Sequence, residues 1–243
     1  MLAGVLGSDP TTTTVTTGVY QHVFTRTNTN QHKSLSITTA DDIQDYIYPL
    51  GMVNSFEMEA QINNYITSVI SLLSKKGQTT TANPSYIEDC PFTSRYMSIY
   101  IADTVEDLDD ANKANLTSFT MTINKNLEQE FAIGEIDPKE ISNKQFSIEG
   151  SLAYNHNNDT YRNMVLSNAF KAMKVEIEDS SVDIGGENHP KLTFILPRIS
   201  MTEISRDQSN DSLVNETVSF KGMFDLSSGV PIQATLINKQ SSY

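Results

Sequence analysis

Hydrophobic and polar positions alternate with a period of two along much of this chain, the mark of strands that bury one face. The longest example lies mid-chain. Phe119, Met121 and Ile123 alternate with Ser118, Thr120 and Thr122; further on, Phe146, Ile148, Gly150, Leu152 and Tyr154 alternate with Ser147, Glu149, Ser151 and Ala153. Between them runs a loop punctuated by Gly134, Asp137 and Pro138, so the two segments are expected to pair antiparallel. Upstream, Phe56, Met58, Ala60 and Ile62 alternate with Glu57, Glu59 and Gln61. Apolar positions resume after Asn63 and Asn64 at Ile66, Val69, Ile70, Leu72 and Leu73. That second half fits a helix as well as a strand, and its Thr, Val, Ile and Tyr content favours a strand with a bulge or turn at the asparagines.

Shorter patterned segments fill in the rest. Residues 19–25 and 34–38 read as strands flanking a polar loop, which predicts a hairpin. The threonine-rich run at 11–17 fits either an extended sheet edge or a loop, and composition does not separate the two. Strands are expected at 96–102, 174–179, 191–196, 212–225 and 230–238. One helix is expected at 159–173, capped by Asp159 or Thr160, with Tyr161, Val165, Ala169 and Met173 on one stripe that Met164, Leu166 and Phe170 broaden. About ten strands and one helix in 243 residues describe a mainly β chain, a sandwich or barrel in a single domain spanning 1–243.

Composition narrows the function classes. Thirty acidic against 17 basic residues give a net charge of −13, which repels a phosphate backbone. Cys90 is the only cysteine, so the chain has no internal disulfide and no thiolate zinc framework; a small buried hydrophobe is its plain reading. No apolar run approaches the roughly 18 residues of a membrane span, and the start MLAGVLG has no basic n-region of a secretory signal. The interior of a cell fits best. His22, His32, His156 and His189 are scattered without a metal-ligand spacing, and no nucleophile elbow, phosphate loop or dinucleotide fingerprint occurs. The acids of residues 103–115 lack the glycine and terminal glutamate of a calcium loop, and Asn155, Asn157 and Asp159 are followed by Thr160 and Leu166 where such a loop needs those two residues. Glu57 with Glu59, and Glu128 with Glu130, stand two apart and would face one way on a strand, which more often marks a solvated face than a catalytic pair. A structural or interaction protein, not an enzyme, and without cofactor or metal, is the default.

Read in order, LGS with VYQHVFT and SLSIT, then YPLGMVNSFEMEA, FTSRYMSIYIA, SFTMTINKNLEQEFAIGEIDP, FSIEGSLAY, the helix, LPRISMTE and TVSFKGMFD resemble the tail tube (major tail) proteins of long-tailed, siphovirus-type bacteriophages. The resemblance runs from about residue 6 to residue 237 as loosely matching blocks in the family's order. Members of this kind carry a further N-terminal portion ahead of the leucine-glycine block, and Met1 stands where it would join. The resemblance implies a two-sheet β-sandwich with one flanking α-helix, and six copies in a ring whose inner sheets form one barrel. Rings stack into a tube through which DNA passes without specific binding. It implies as partners further copies of the chain, a tape measure protein, and tail tip and tail terminator proteins, with no membrane involved. It also implies a place in the virion tail after synthesis in the host cytoplasm. On such a ring the carboxylates opposite the apolar strand faces, Glu57, Glu59 and Glu149, are the expected lumen residues, and the polar stretches 77–89 and 103–115 the expected stacking loops. An adhesin or carbohydrate-binding module is the alternative, against which the absence of tryptophan counts. A β enzyme of the glycosidase or lyase kind would need carboxylates converging in a cleft.

Overall fold

The computed structural model describes residues 1–84, 91–208 and 213–243; Cys90, the second half of the 77–89 stretch and Ser212 lie outside the described residues. The expected mid-chain pair is present. β8 (Ser118–Asn124) runs antiparallel to β11 (Ser147–Asn155), with Phe119 opposite Leu152 and Ile123 opposite Ile148. This pair sits at the centre of a first layer in the order β5-β4-β8-β11-β14-β13, where β4 is Asp45–Gln61, β5 Thr67–Leu73, β14 Asn215–Gly222 and β13 Lys191–Asp207. A second layer has the order β1-β2-β15-β13-β12-β7, with β1 at Thr11–Thr16, β2 at Val19–Thr25, β15 at Gln233–Asn238, β12 at Phe170–Glu178 and β7 at Met97–Ala102.

β13 belongs to both layers because it is long enough to turn the corner. Its residues 191–195 pair with β15, and from Ile199 onward it pairs with β14 instead. Pro197, which has no N–H to donate, falls where one partner has left and the other has not begun. Bulges in β13 between Met201 and Glu203 and between Leu196 and Ile199, the latter opposite Lys171 and Met173 of β12, supply the bend. The ladder thus folds over its own apolar face without closing into a barrel. Phe56 of the first layer lies 6.2 Å from Phe194 of the second, ring to ring, in a core that includes Met58, Met121, Leu152, Val175 and Leu196. Each large side chain removed from water in this way contributes roughly 1.5–3 kcal/mol.

Several expectations need correction. β2 and β3 (Leu35–Thr39) are both strands but do not form a hairpin: β2 pairs with β1 and β15, whereas β3 pairs with β4. The linker between them is diverted because His32 is buried beneath the helix α1 (Leu2–Leu6), whose C-cap Gly7 is left-handed at φ 89°. A Cβ on Gly7 would stand 2.4 Å from that imidazole. The apolar N-terminal residues form α1 itself, and Val5 and Leu6 belong to the main core. The threonine run is a strand, β1, at the sheet edge. The later helix, α2, covers only Thr160–Ser167; Asn168 ends it in the left-handed region at φ 48°, and Phe170 to Met173 are β12. Sheet pairing of Lys171 with Ile199 outweighs the helical stripe there, and Leu166 is exposed. Ile62 is exposed too, since β4 stops one residue earlier.

Among the described residues fifteen strands stand against the roughly ten expected, and three of the additional ones, β6 (Gln78–Thr80), β9 (Glu128–Glu130) and β10 (Glu140–Ser142), are three residues each and carry no periodic signal. β6 pairs with residues 45–47 of β4, on whose other side lies β3, making a three-stranded arm that continues β4 beyond the sandwich. The 77–89 stretch therefore begins as a strand and not as a free loop.

Candidate functional site

The outer face of the first layer is polar from β4 to β13, with Val69 of β5 the exposed apolar residue at its edge. In an antiparallel ladder directly opposed residues point the same way, so two cross-strand rows can be read from the register. One row runs Val69, Glu57, Thr122, Glu149, Lys221; the next runs Thr67, Glu59, Thr120, Ser151, Ser219, Glu203. The alternation that buries Phe56, Met58 and Ala60 at 8% exposure or less turns Glu57 and Glu59 outward. Ile148 and Leu152 do the same for Glu149. The three glutamates singled out from the sequence thus share one face, with Glu57 and Glu149 exposed and Glu59 half-buried.

Two further charged members of this face, Lys221 and Glu203, were missed by sequence reasoning. Lys221 was legible, because it continues the Thr217, Ser219 parity opposite Val218 and Phe220. Glu203 was not, because the bulge after Met201 resets the parity of β13. Lys221 Nζ lies 3.1 Å from Glu149 Oε1, so one carboxylate of the row is paired while Glu57 has no cation partner among the described residues. Thr120 and Ser151 hydroxyls meet at 2.8 Å, and Gln61 Nε2 donates to Glu59 Oε1 at 2.6 Å. The face therefore presents hydroxyls and carboxylates, with no aromatic platform in either row on which a base or sugar ring could stack.

This layer ends in two strand edges that lack a partner among the described residues. β5 pairs only with β4, and β13 beyond Ser200 pairs only with β14. Behind the face, Glu216 clasps the layer to α2. It accepts from Tyr154 Oη and from Arg206 Nε, both at 2.6 Å, with His156 Nδ1 at 3.2 Å, and Tyr154 packs on Tyr161 of α2. Burial would raise the Glu216 carboxyl, but the hydrogen bonds from Tyr154 and Arg206, with His156 close by, outweigh it and hold the group below the usual carboxylate range.

The remaining sequence candidates are occupied structurally. Glu128 pairs with Lys144 at 3.2 Å on the small β9–β10 ladder. In the 103–115 loop, Asp107 accepts from Thr104, Asp109 caps Ala111, and Asp103 pairs with Lys171. His22 contacts Thr12 and the Gln240 carbonyl, His189 contacts the Val182 carbonyl, and burial pushes His32 down to about 4, helped by the charge of Lys125. Among the described residues no helix is long and apolar enough to cross a membrane.

Compared with known proteins, the chain matches a family described as phage tail tube protein over residues 1–222. No curated protein matches it.

Proposed function

Because this chain belongs to the phage tail tube protein family, and so is a structural component of a phage tail, we propose that six copies close into a ring whose first layers join edge to edge, and that stacked rings conduct DNA. The pairing edges are β5 of one copy and the C-terminal half of β13 of the next. The carrying observation is the juxtaposition at one layer: a polar, carboxylate-bearing face bounded at both ends by unpaired strand edges. Open edges are an aggregation hazard in a monomer and satisfy each other in a closed ring. Glu57, Glu59 and Glu149 then line the lumen. A negatively charged, hydroxyl-rich wall keeps phosphates from adhering, and with a screening length of about 8 Å the repulsion acts near the wall and leaves the channel axis free. Tape measure, tail tip and tail terminator proteins complete the tube after synthesis in the host cytoplasm.

Cysteine pairs test the edge assignment in a Cys90→Ser background. One cysteine replaces Thr67 or Val69 of β5 and a second replaces Glu203 or Ser205 of β13, all exposed positions on the outer face. Oxidation should link copies into closed six-membered species through at least one of these registers, and negative-stain images should show rings. Chains that remain unlinked and free of rings at high concentration would remove the assignment.

A further inference from the structure

A protruding apolar tip and an apolar cavity on the same chain have no use in the isolated subunit. The loop joining β9 to β10 carries Phe131, Ile133 and Ile136, exposed by 60%, 107% and 82%. Three large apolar side chains within six residues make a patch, which solvent-exposed loops seldom carry without a partner. The base of the loop is held: Asp137 Oδ1 accepts from the Lys76 N–H at 3.1 Å and the Lys139 N–H donates to the Glu130 carbonyl at 2.7 Å. The tip is thus presented on a fixed stem, with Glu135 beside it.

The cavity lies at the end of the second layer where β12 turns into β13. Its volume is 820 Å³, within the range of about 300–1,000 Å³ that ligand-sized sites occupy. Phe92, Val182, Ile184, Pro190 and Leu236 supply its apolar wall, and Lys239 stands on its rim. The carboxylate in the wall, Asp179, is turned to its own turn, accepting from Ser181 N and Oγ. Lys191 is likewise held by Glu176 and Glu178, which leaves the Lys239 ammonium as the rim charge without a carboxylate partner among the described residues.

We propose that the Phe131–Ile136 tip of one copy seats in this cavity of another copy, with Glu135 facing Lys239. Convex apolar surface meets concave apolar surface, and the acidic side chain of the tip meets the unpaired cation of the rim. The contact is heterologous, since the two surfaces differ, so it propagates from copy to copy and does not close a two-fold dimer. It rests on the tube reading for its purpose, as the contact between successive rings, but its chemistry is independent of the edge pairing within a ring.

The test uses two full-length chains in a Cys90→Ser background, one carrying Ile133→Cys and the other Val182→Cys. Both positions are exposed, so folding is not at stake. Mild oxidation of the mixture should yield a heterodimer that neither chain forms alone, and Glu135→Lys on the tip chain should reduce its yield while Glu135→Lys with Lys239→Glu restores it. Absence of the mixed disulfide, or a yield indifferent to both charge exchanges, overturns the proposal. The failure is separable from that of the ring: cross-links between β5 and β13 that persist without the mixed disulfide dismiss the tip alone, whereas a mixed disulfide without those cross-links dismisses the edge pairing.

Discussion

Lys125 shows how a single buried charge ties distant parts of the chain together. It is 1% exposed, and its Nζ donates to the Gly4 carbonyl of α1 at 2.7 Å. Burial lowers its pKa from 10.5 to about 8. Between those two values the unfolded chain binds more protons than the folded one, so the contribution of Lys125 to stability rises as pH rises through that window. The slope has the same sign for Glu216, whose lowered pKa adds stability that is present above the unfolded value and lost as pH falls through the folded one; there the fold favours the charged form, whereas at Lys125 it disfavours it. Urea unfolding of Lys125→Met at about pH 7.5 and again at about pH 10 should show a smaller gain in stability with pH than the parent chain. An unchanged gain would mean that Lys125 titrates normally and that its burial carries no cost.

At the scale of elements, the packing of β11 depends on having no side chain at Gly150. A Cβ there would stand 2.2 Å from the Thr120 carbonyl oxygen and 2.5 Å from Phe220 Cζ. Phe220 uses that space to lie flat against Phe119, with ring centroids 6.2 Å apart and an interplanar angle of 12°. The alternation Phe146, Ile148, Gly150, Leu152 thus contains a deliberate gap, filled by an aromatic ring from the neighbouring strand β14. Gly150→Ala should destabilise the fold by about 1–3 kcal/mol, the usual cost of overpacking, measurable as a lower urea midpoint. Gly150→Ala combined with Phe220→Leu should recover part of that loss by vacating the space, and a single variant as stable as the parent chain would contradict the close approach.

At the scale of the molecule, the charge of −13 is spread so that the outer face of the first layer shares in it. Glu57→Lys with Glu59→Lys changes no core contact, because both side chains point away from Phe56, Met58 and Ala60. Rings of this double variant should therefore assemble as before. DNA release from particles built with it should slow, and the slowing should diminish as salt is raised, since lysines on the wall bind phosphate through counterion release. Release at the parental rate would remove Glu57 and Glu59 from the lumen.

Period-two alternation was enough to place β8, β11 and the second half of β4, with β-branched composition deciding β5, and to put Glu57, Glu59 and Glu149 opposite the core, because a strand's facing is set by nearest-neighbour stereochemistry alone. The same local rule could not say which strands pair. β2 and β3 are adjacent in sequence yet lie in different ladders, since the burial of His32 under α1 and the pairing of β2 with β15 are long-range events. It could not end α2 at Ser167 either, because Phe170 to Met173 satisfy a helical stripe and a strand equally, and only the presence of Ile199 and Leu196 alongside decides for the sheet. Nor could it find that β13 serves two layers, which turns on a bulge and a proline whose meaning depends on the partners on either side. Facing is therefore a property of the local chain, while pairing, edges and the polar face they bound belong to the folded molecule.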